Sequence, residues 1–237
     1  MLKILVYQVR IGLDNIYSCR ASRNPTDFHR FEQIKCLPSV AAWADRQGYD
    51  YKLITEPTLQ ENNFFSCDVD RYSAEKMMHL NNDDYDYLVY VDSDVLASDT
   101  AGPFPIKDGF SIARETIPDD MFFRIFPNET ENTYCNAGVF GVDTKTGKKL
   151  YKYFLDTVAS GNNGWIEQAE QDIINSWIQK NDYNVLDQSW NHMLFQYDIF
   201  SNINIGQNNF FHFIFEAKEQ YKRLYRFILK HKRKTNV

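Results

Sequence analysis

The chain has 237 residues, of which 43% are hydrophobic, and this length suits a single α/β domain with one well-buried core. A formal net charge of -6 argues against a general nucleic-acid binder, because such proteins need a basic surface. Four cysteines without a C-x-x-C pair argue against a disulfide scaffold or a zinc site, and no apolar stretch approaches the roughly 20 residues of a membrane span. We therefore expect a cytoplasmic protein with reduced thiols.

Strand and helix patterns alternate over the first ninety residues. The apolar run 3–9 predicts a buried first strand, and apolar residues at helical spacing over 31–47 predict a helix that Pro38 either kinks or divides. Gly48 ends this helix. Further patterns predict a strand at 49–55, a helix at 70–80 and a third strand ending at Val91. This order is typical of a doubly wound sheet, which binds ligands at the carboxyl ends of its strands.

Shorter elements follow. The patterns predict strands at 109–114, 137–142 and 210–215 and helices at 146–158, 167–180 and 216–232. The last helix belongs to a basic segment with eight Lys or Arg residues after position 215. This helix either lies on an anionic membrane surface as a peripheral contact or packs on the domain with a solvated basic face, and we favour the packed arrangement.

Two carboxylates follow the third predicted strand directly. In extended chain, residues i and i+2 point to the same side about 7 Å apart, so Asp92 and Asp94 can converge on one cation with the small Ser93 between them. Carboxylate ligands favour Mg²⁺ or Mn²⁺, which complete their coordination with substrate phosphates. An isolated Asp-x-Asp is usually a turn or a helix cap, but the apolar strand before it favours a metal site that holds a diphosphate.

Four segments together carry a family resemblance. Residues 87–97 (YLVYVDSDVLA) resemble the metal-binding D-x-D strand end of GT-A glycosyltransferases. Residues 135–140 (CNAGVF), 170–175 (EQDIIN) and 211–213 (FHF) resemble, in the same order, the donor-site strand, the D-Q-D-x-x-N helix start and the late metal-binding histidine of retaining family 8 enzymes. Residues 42–55 also resemble the helix and strand that precede the D-x-D motif in galactosyl- and mannosyltransferases.

The resemblance implies a fold and a domain organisation. We expect the Rossmann-like GT-A fold, an α/β architecture with a central, mostly parallel sheet flanked by helices. Residues 1–215 would form the catalytic domain, and residues 216–237 would form a basic helix appended to it.

The resemblance also implies roles for individual residues. Mn²⁺ or Mg²⁺ would be bound by Asp92, Asp94 and His212. The nucleotide-sugar donor, a UDP-sugar by preference, would be contacted by Tyr7, Gln8, Val9, Lys76, Asp92, Ser93, Asn136, Ala137 and Lys218. Among these, Tyr7 has two open roles, stacking on the base or filling the core. After the histidine the family continues with Gly and Lys-Pro-Trp, whereas this chain reads FIFEAKEQ. Lys218 would therefore take the place of the family's lysine.

The expected reaction is transfer of a hexose to a glycan, glycoprotein or glycolipid. Gln171 would lie near the reacting face if configuration is retained, and Asp172 or Glu170 would be the base if it is inverted; the sequence leaves this open. A sugar nucleotidyltransferase shares the fold type and the acidic site, but the Gly-rich N-terminal loop of that class is missing here. A non-catalytic binding module would not need the carboxylates, the histidine and the polar helix start together.

Overall fold

The computed structural model describes residues 2–11, 26–56, 68–115, 119, 123–124, 126–129, 131–160, 170–194, 207–214, 218 and 220–232. The first turn of the predicted helix at 167–180 and the end of the predicted strand at 210–215 lie outside these residues. Among the described residues, no helix combines the length and the hydrophobicity that are needed to cross a membrane.

The elements follow one another in the predicted order. The first half contains β1 (Ile4–Val9), α1 (Thr26–Phe31), a π-helical segment (Glu32–Cys36), α2 (Leu37–Gln47), β2 (Asp50–Ile54), α3 (Asp68–Met78), β3 (Tyr87–Val91) and β4 (Val95–Ala97). The second half contains β5 (Phe110–Arg114), β6 (Cys135–Asp143), α4 (Thr144–Ala159), α5 (Glu170–Ile178), β7 (Asn184–Leu186), a 3-10 turn (Gln188–Trp190), β8 (His192–Leu194), β9 (Phe210–Phe213) and α6 (Tyr221–Lys232).

The central sheet has six strands in the order β2-β1-β3-β6-β5-β7. Three of its five pairs are parallel, and β6 runs antiparallel to both of its neighbours. A second sheet has the order β4-β9-β8. Only residues 92–94 separate β3 in the large sheet from β4 in the small one, so the Asp-Ser-Asp segment lies where the two sheets meet.

Helices and the small sheet cover both faces of the central sheet. One face packs on α3, α4 and α5 through residues such as Met77, Leu150 and Ile174. The other face packs on α2 and β9, where Trp43 contacts Phe210. Strands that are buried on both faces favour apolar residues on both sides, which explains the apolar run of β3 and that of β1, where only Gln8 is polar. The expected α/β fold with a mostly parallel sheet flanked by helices is confirmed.

Pro38 lies where the predicted helix at 31–47 changes type. The π-helical segment ends at Cys36 and α2 begins at Leu37, and both residues have helical backbone angles, so Pro38 lies in the first turn of α2 and the backbone stays helical across the change. Gly48 ends α2 with φ of 70°, a backbone conformation that residues with a Cβ adopt only at a cost in free energy.

The C-terminal helix α6 uses its apolar face inside the protein. Tyr221, Leu224 and Ile228 are buried in a cluster with Phe31 and Phe213, and the Tyr221 and Phe31 ring centroids are 4.9 Å apart. The opposite face carries exposed basic residues, which are Lys222, Arg223, Arg226 and Lys230. Of the two arrangements that the sequence left open, the structure therefore has the helix packed on the domain.

Candidate metal and donor site

The three predicted metal ligands come together at the junction of the two sheets. Asp92 follows β3, Asp94 precedes β4, and His212 lies in β9 opposite Val95. One ligand atom from each of the three lies within 4.8 Å of the others. Antiparallel pairing of β4 with β9 thus brings a residue 118 positions away from Asp94 to the same point.

A hydrogen bond fixes the orientation of the His212 ring. Its Nδ1 lies 2.9 Å from Oδ1 of Asn191, and the Asn191 amide nitrogen donates at 2.8 Å to Oδ1 of Asn136. Because an amide oxygen only accepts, Nδ1 carries the proton and Nε2 faces the carboxylates, 3.1 Å from Asp94 Oδ1 and 3.7 Å from Asp92 Oδ2. A partner that orients the ligand in this way is typical of metal-binding histidines.

Gly138 leaves the space that the His212 ring occupies. A Cβ at this position would lie 2.7 Å from Nδ1 of His212 and still closer to its Cε1. The Gly138 backbone N–H donates to Asn136 Oδ1 at 2.8 Å. The Asn-Ala-Gly segment of β6 therefore supports the histidine from behind.

The donor set fits a divalent cation. Asp94 is buried, and among the described residues its Oδ1 has no hydrogen-bond partner, because the 3.1 Å contact with His212 lacks hydrogen-bond geometry. Burial raises the pKa of Asp94, but the neighbouring Lys218 and His212 outweigh it and hold the pKa well below its ordinary value. An ionised, buried and unpartnered oxygen next to an imidazole nitrogen is a site that Mn²⁺ or Mg²⁺ satisfies.

Protonation of His212 would compete with metal binding. Burial lowers the pKa of the His212 ring, whereas Asp94 and Asp92 raise it, and the net effect lies above the ordinary value. The carboxylates that favour a proton on the ring would also favour a bound cation. A bound metal would therefore replace that proton.

Lys218 joins this cluster. Its Nζ lies 2.7 Å from Asp94 Oδ2. Burial lowers the pKa of Lys218, but Asp94 raises it more strongly, so the side chain stays charged. Although the surrounding sequence departs from the family pattern, the structure places the substitute lysine against a predicted metal ligand.

Two tyrosines that the sequence analysis did not single out hold Asp92. Tyr72 in α3 donates to Asp92 Oδ1 at 2.7 Å, and the Tyr90 hydroxyl donates to the same oxygen. These bonds leave Oδ2 free to face His212. A tyrosine at position 90 reads as one more core residue of a buried strand, so the sequence alone gave no sign of this role.

Lys76 lies beneath the site rather than in it. Its side chain is 1% exposed, and Nζ donates to the Ala137 carbonyl at 2.7 Å and to Glu170 Oε1 at 2.8 Å. Glu170 is also held by the Ser73 hydroxyl. The ammonium is enclosed and lies 3.8 Å from Asp92 Oδ1, and the expectation that Lys76 reaches the donor phosphates stays a prediction.

The side chains at the end of β1 are enclosed as well. Tyr7, Gln8 and Val9 are each 0% exposed. The Tyr7 hydroxyl donates to the Lys76 carbonyl at 2.9 Å, and Gln8 Nε2 donates to the Asp92 carbonyl at 2.9 Å. Of the two roles open to Tyr7 the structure shows the core role, and donor contact by Gln8 and Val9 stays a prediction.

The start of α5 presents one of its three predicted catalytic residues to the site. Glu170 is paired with Lys76, and Asp172 is completely buried and accepts from the Tyr134 hydroxyl at 2.6 Å. Neither carboxylate is directed at an acceptor. Gln171 is partly exposed, and its Oε1 accepts from the Ala137 N–H at 2.9 Å.

Glu115 is the functional candidate that the sequence analysis missed. Its Oε2 accepts from Asn136 Nδ2 and from Gln171 Nε2, both at 3.1 Å, so one carboxylate sets the orientation of both amides. Burial raises the pKa of Glu115 above its ordinary value. The available signal was its position directly after the predicted strand at 109–114, the same position that Asp92 has after β3.

Comparison with known proteins shows similarity in fold. No protein-family model and no curated protein sequence matches the chain. A solved glycosyltransferase involved in glycosylation of the major capsid of PBCV-1 matches with a TM-score of 0.54 and 14% identity over 92% of this chain and 99% of that one. The galactosyltransferase LgtC, solved with donor and acceptor sugar analogs, matches with a TM-score of 0.53 and 14% identity over 93% of this chain and 94% of that one.

A third solved structure covers only part of a longer protein. The glycosyltransferase GlyE of Streptococcus pneumoniae TIGR4 matches with a TM-score of 0.52 and 15% identity, over 92% of this chain but 56% of that one. At these identities the similarity concerns the fold, and the chain has the fold of the GT-A glycosyltransferases.

Proposed function

We propose that this protein is a metal-dependent glycosyltransferase that moves a hexose from a nucleotide diphosphate sugar, a UDP-sugar by preference, to a glycan, glycoprotein or glycolipid. The observation that carries the proposal is the cluster of Asp92, Asp94 and His212, whose ligand atoms lie within 4.8 Å of one another. The cluster follows a central strand of a GT-A fold, and the solved proteins of similar fold are named glycosyltransferases.

The residues of the cluster suit the departure of a diphosphate. Glycosyl transfer breaks the bond between the anomeric carbon and the diphosphate, so negative charge develops on the leaving oxygen. A bound Mn²⁺ or Mg²⁺ would supply Lewis acidity at that oxygen. Lys218 holds a second positive charge 2.7 Å from Asp94, where it would neutralise the same diphosphate.

The sugar would lie against a second group of polar residues. Asn136 and Gln171 are held by Glu115, and Gln171 is further held by the Ala137 N–H and, at 3.2 Å, by the Tyr134 hydroxyl. Side chains fixed in this way can orient a sugar without reorganising during the reaction. Because Glu170 and Asp172 are engaged within the protein, we propose that Gln171 and Glu115 contact the reacting sugars.

The proposal includes a location and a membrane contact. Cys36 and Cys135 are buried free thiols, as suits a cytoplasmic protein. A contact with an anionic membrane would be electrostatic, through the basic face of α6, because the apolar face of that helix is used inside the protein. Sedimentation with anionic liposomes tests this contact, and binding that does not fall as salt is added would contradict it.

Donor hydrolysis tests the proposed reaction. The protein is incubated with UDP-glucose, UDP-galactose, UDP-N-acetylglucosamine or GDP-mannose, with and without Mn²⁺, and the released products are identified. We expect slow release of a nucleoside diphosphate with Mn²⁺ and none with EDTA. A sugar nucleotidyltransferase would instead form pyrophosphate from a nucleoside triphosphate and a sugar phosphate, and a binding module would release nothing. Absence of both metal-dependent release and metal-dependent thermal shift for every donor would contradict the proposal.

A further inference from the structure

A cleft of about 330 Å³ lies between α1, the π-helical segment and α6. Its lining residues are Arg30, Phe31, Ile34, Lys35, Tyr221 and Lys222. The two aromatic residues are buried and form its base, whereas the three basic residues and Ile34 are exposed at its rim. The volume is at the lower end of the range for small-molecule sites, about 300 to 1,000 Å³.

The π-helical segment brings the basic residues of the first wall together. Arg30 and Lys35 are five positions apart, and with 3.6 residues per α-helical turn such residues point in different directions. The wider turn between Glu32 and Cys36, closed by the bond from the Leu37 N–H to the Glu32 carbonyl, places residues five apart on one side. Such local widening of a helix is frequent at functional sites.

The rim of the cleft is cationic. The whole chain carries a formal net charge of -6, yet the described residues that line the cleft include three cations and no carboxylate. Within the part of the chain that the structure describes, neither Arg30 nor Lys35 forms an ion pair, and Lys35 Nζ lies 5.8 Å from the centroid of the Tyr225 ring. An anionic ligand would complete this arrangement.

The cleft adjoins the metal cluster through both of its walls. Phe31 precedes Glu32, whose Oε1 accepts a hydrogen bond from the Ser93 hydroxyl at 3.2 Å. Tyr221 lies three residues after Lys218, which contacts Asp94. Both walls of the cleft therefore continue along the chain to residues that contact the Asp-Ser-Asp segment.

We propose that this cleft binds a phosphate group carried by the acceptor. Guanidinium and ammonium groups are the side chains that recognise phosphate, and the aromatic base with Ile34 suits the less polar part of a phosphorylated glycan or lipid. The assignment to the acceptor rests on the proposed transferase function, whereas phosphate binding by the cleft does not.

The test compares two triple variants that each remove three positive charges. Arg30→Gln/Lys35→Gln/Lys222→Gln alters the cleft, and Lys107→Gln/Lys145→Gln/Lys149→Gln alters exposed lysines elsewhere. Binding of inorganic pyrophosphate, and of vesicles of phosphatidylcholine with and without phosphatidic acid, is measured in EDTA so that the metal cluster does not contribute. Thermal unfolding of all three proteins is recorded to show that they are folded.

We expect the cleft variant to bind one of these probes at least fivefold more weakly than the wild type, while the control variant stays within twofold. Loss of pyrophosphate binding assigns the site to a soluble phosphate, and loss of vesicle binding alone assigns it to a lipid headgroup. Equal behaviour of the two variants with both probes, or no binding by the wild type, overturns the proposal. If the cleft binds phosphate but the wild type shows neither metal-dependent release nor a metal-dependent thermal shift with any donor, the proposed function fails, whereas phosphate binding by the cleft stands.

Discussion

Two groups of charged residues in this protein differ in how the fold treats them. Around the end of β3, Asp94, Lys218 and His212 are largely enclosed by protein, and their charged atoms are held at fixed distances from one another. On the outer face of α6, Arg226 and Lys230 are exposed to solvent. The first group comes from two distant parts of the chain, around residue 94 and at residues 212–218, whereas the second group comes from one stretch of sequence.

The comparison shows where charge carries information about function. Burying a charge costs several kcal/mol, so a buried cluster persists only if its members compensate one another or bind a ligand. Exposed charges cost almost nothing, and an exposed ion pair contributes about 0 to 1 kcal/mol. Substitutions in the buried group should therefore have larger effects than substitutions in the exposed group.

Removal of one buried carboxylate should abolish metal-dependent turnover. Asp94→Asn keeps the size of the side chain but removes a charge from the cation and from Lys218, and we expect donor hydrolysis with Mn²⁺ to fall about 10³-fold, equivalent to about 4 kcal/mol. The matched control is Asp83→Asn, which breaks the exposed ion pair with Lys148 and should leave the rate within twofold. If the two variants lose the same activity, the cluster is not the metal site.

Loss of the buried cation beneath the site should act on stability. Lys76→Met leaves Glu170 buried without its ion-pair partner, and we expect the free energy of unfolding in urea to fall by about 3 to 5 kcal/mol. Lys152→Met, which breaks an exposed pair with Asp156 on α4, should cost less than about 1 kcal/mol. Adding Glu170→Gln to Lys76→Met should recover part of the loss, and no recovery would show that Glu170 is not the group left uncompensated.

The sequence predicted the residues that a local pattern marks. Asp92 and Asp94 follow an apolar strand, and the order of the strands and helices follows from periodicity. The carboxylate pair and the order of the elements could therefore be predicted from the sequence alone. His212 and Lys218 required a family resemblance, because nothing in the local sequence separates a metal-binding histidine among phenylalanines from one that fills a core.

The sequence could not predict contacts between distant elements. Three residues of the site are recognised only by hydrogen bonds to residues at least twenty positions away, and these are Tyr72, Glu115 and Asn191. The surroundings of Tyr7 and Lys76 also depend on such contacts. Tyr7 lies in β1 and Lys76 in α3, and both side chains are buried inside the protein, which their positions along the chain do not indicate.

Glu115 lies between the two groups, because it is partly buried and has a raised pKa. Above that raised pKa the ionised carboxylate destabilises the folded state, so its contribution to stability falls as pH rises from the ordinary value through the raised one. Glu115→Gln keeps an oxygen that can accept from Asn136 and Gln171. We therefore expect the variant to gain stability relative to the wild type as pH rises from about 4.5 to 7.

The same variant should lose activity while it gains stability. Without the negative charge we expect kcat for donor hydrolysis to fall about tenfold, equivalent to about 1.4 kcal/mol. The wild-type rate should fall as acidification protonates Glu115, and the variant should lack this acidic limb in its pH profile. Identical acidic limbs in the two proteins would show that Glu115 has no part in the reaction.

The smallest effect is expected on the outer face of α6. Arg226→Gln/Lys230→Gln removes two exposed charges that do not line the cleft, and we expect donor hydrolysis to stay within twofold and the free energy of unfolding to change by less than about 0.5 kcal/mol. Leu224→Ala, on the buried face of the same helix, should cost about 2 to 5 kcal/mol because it opens a cavity in the cluster of Phe31 and Phe213. If the charge variant is the more destabilising of the two, α6 is held by its charges rather than by its apolar face. The exposed charges would then matter for stability as much as the buried ones.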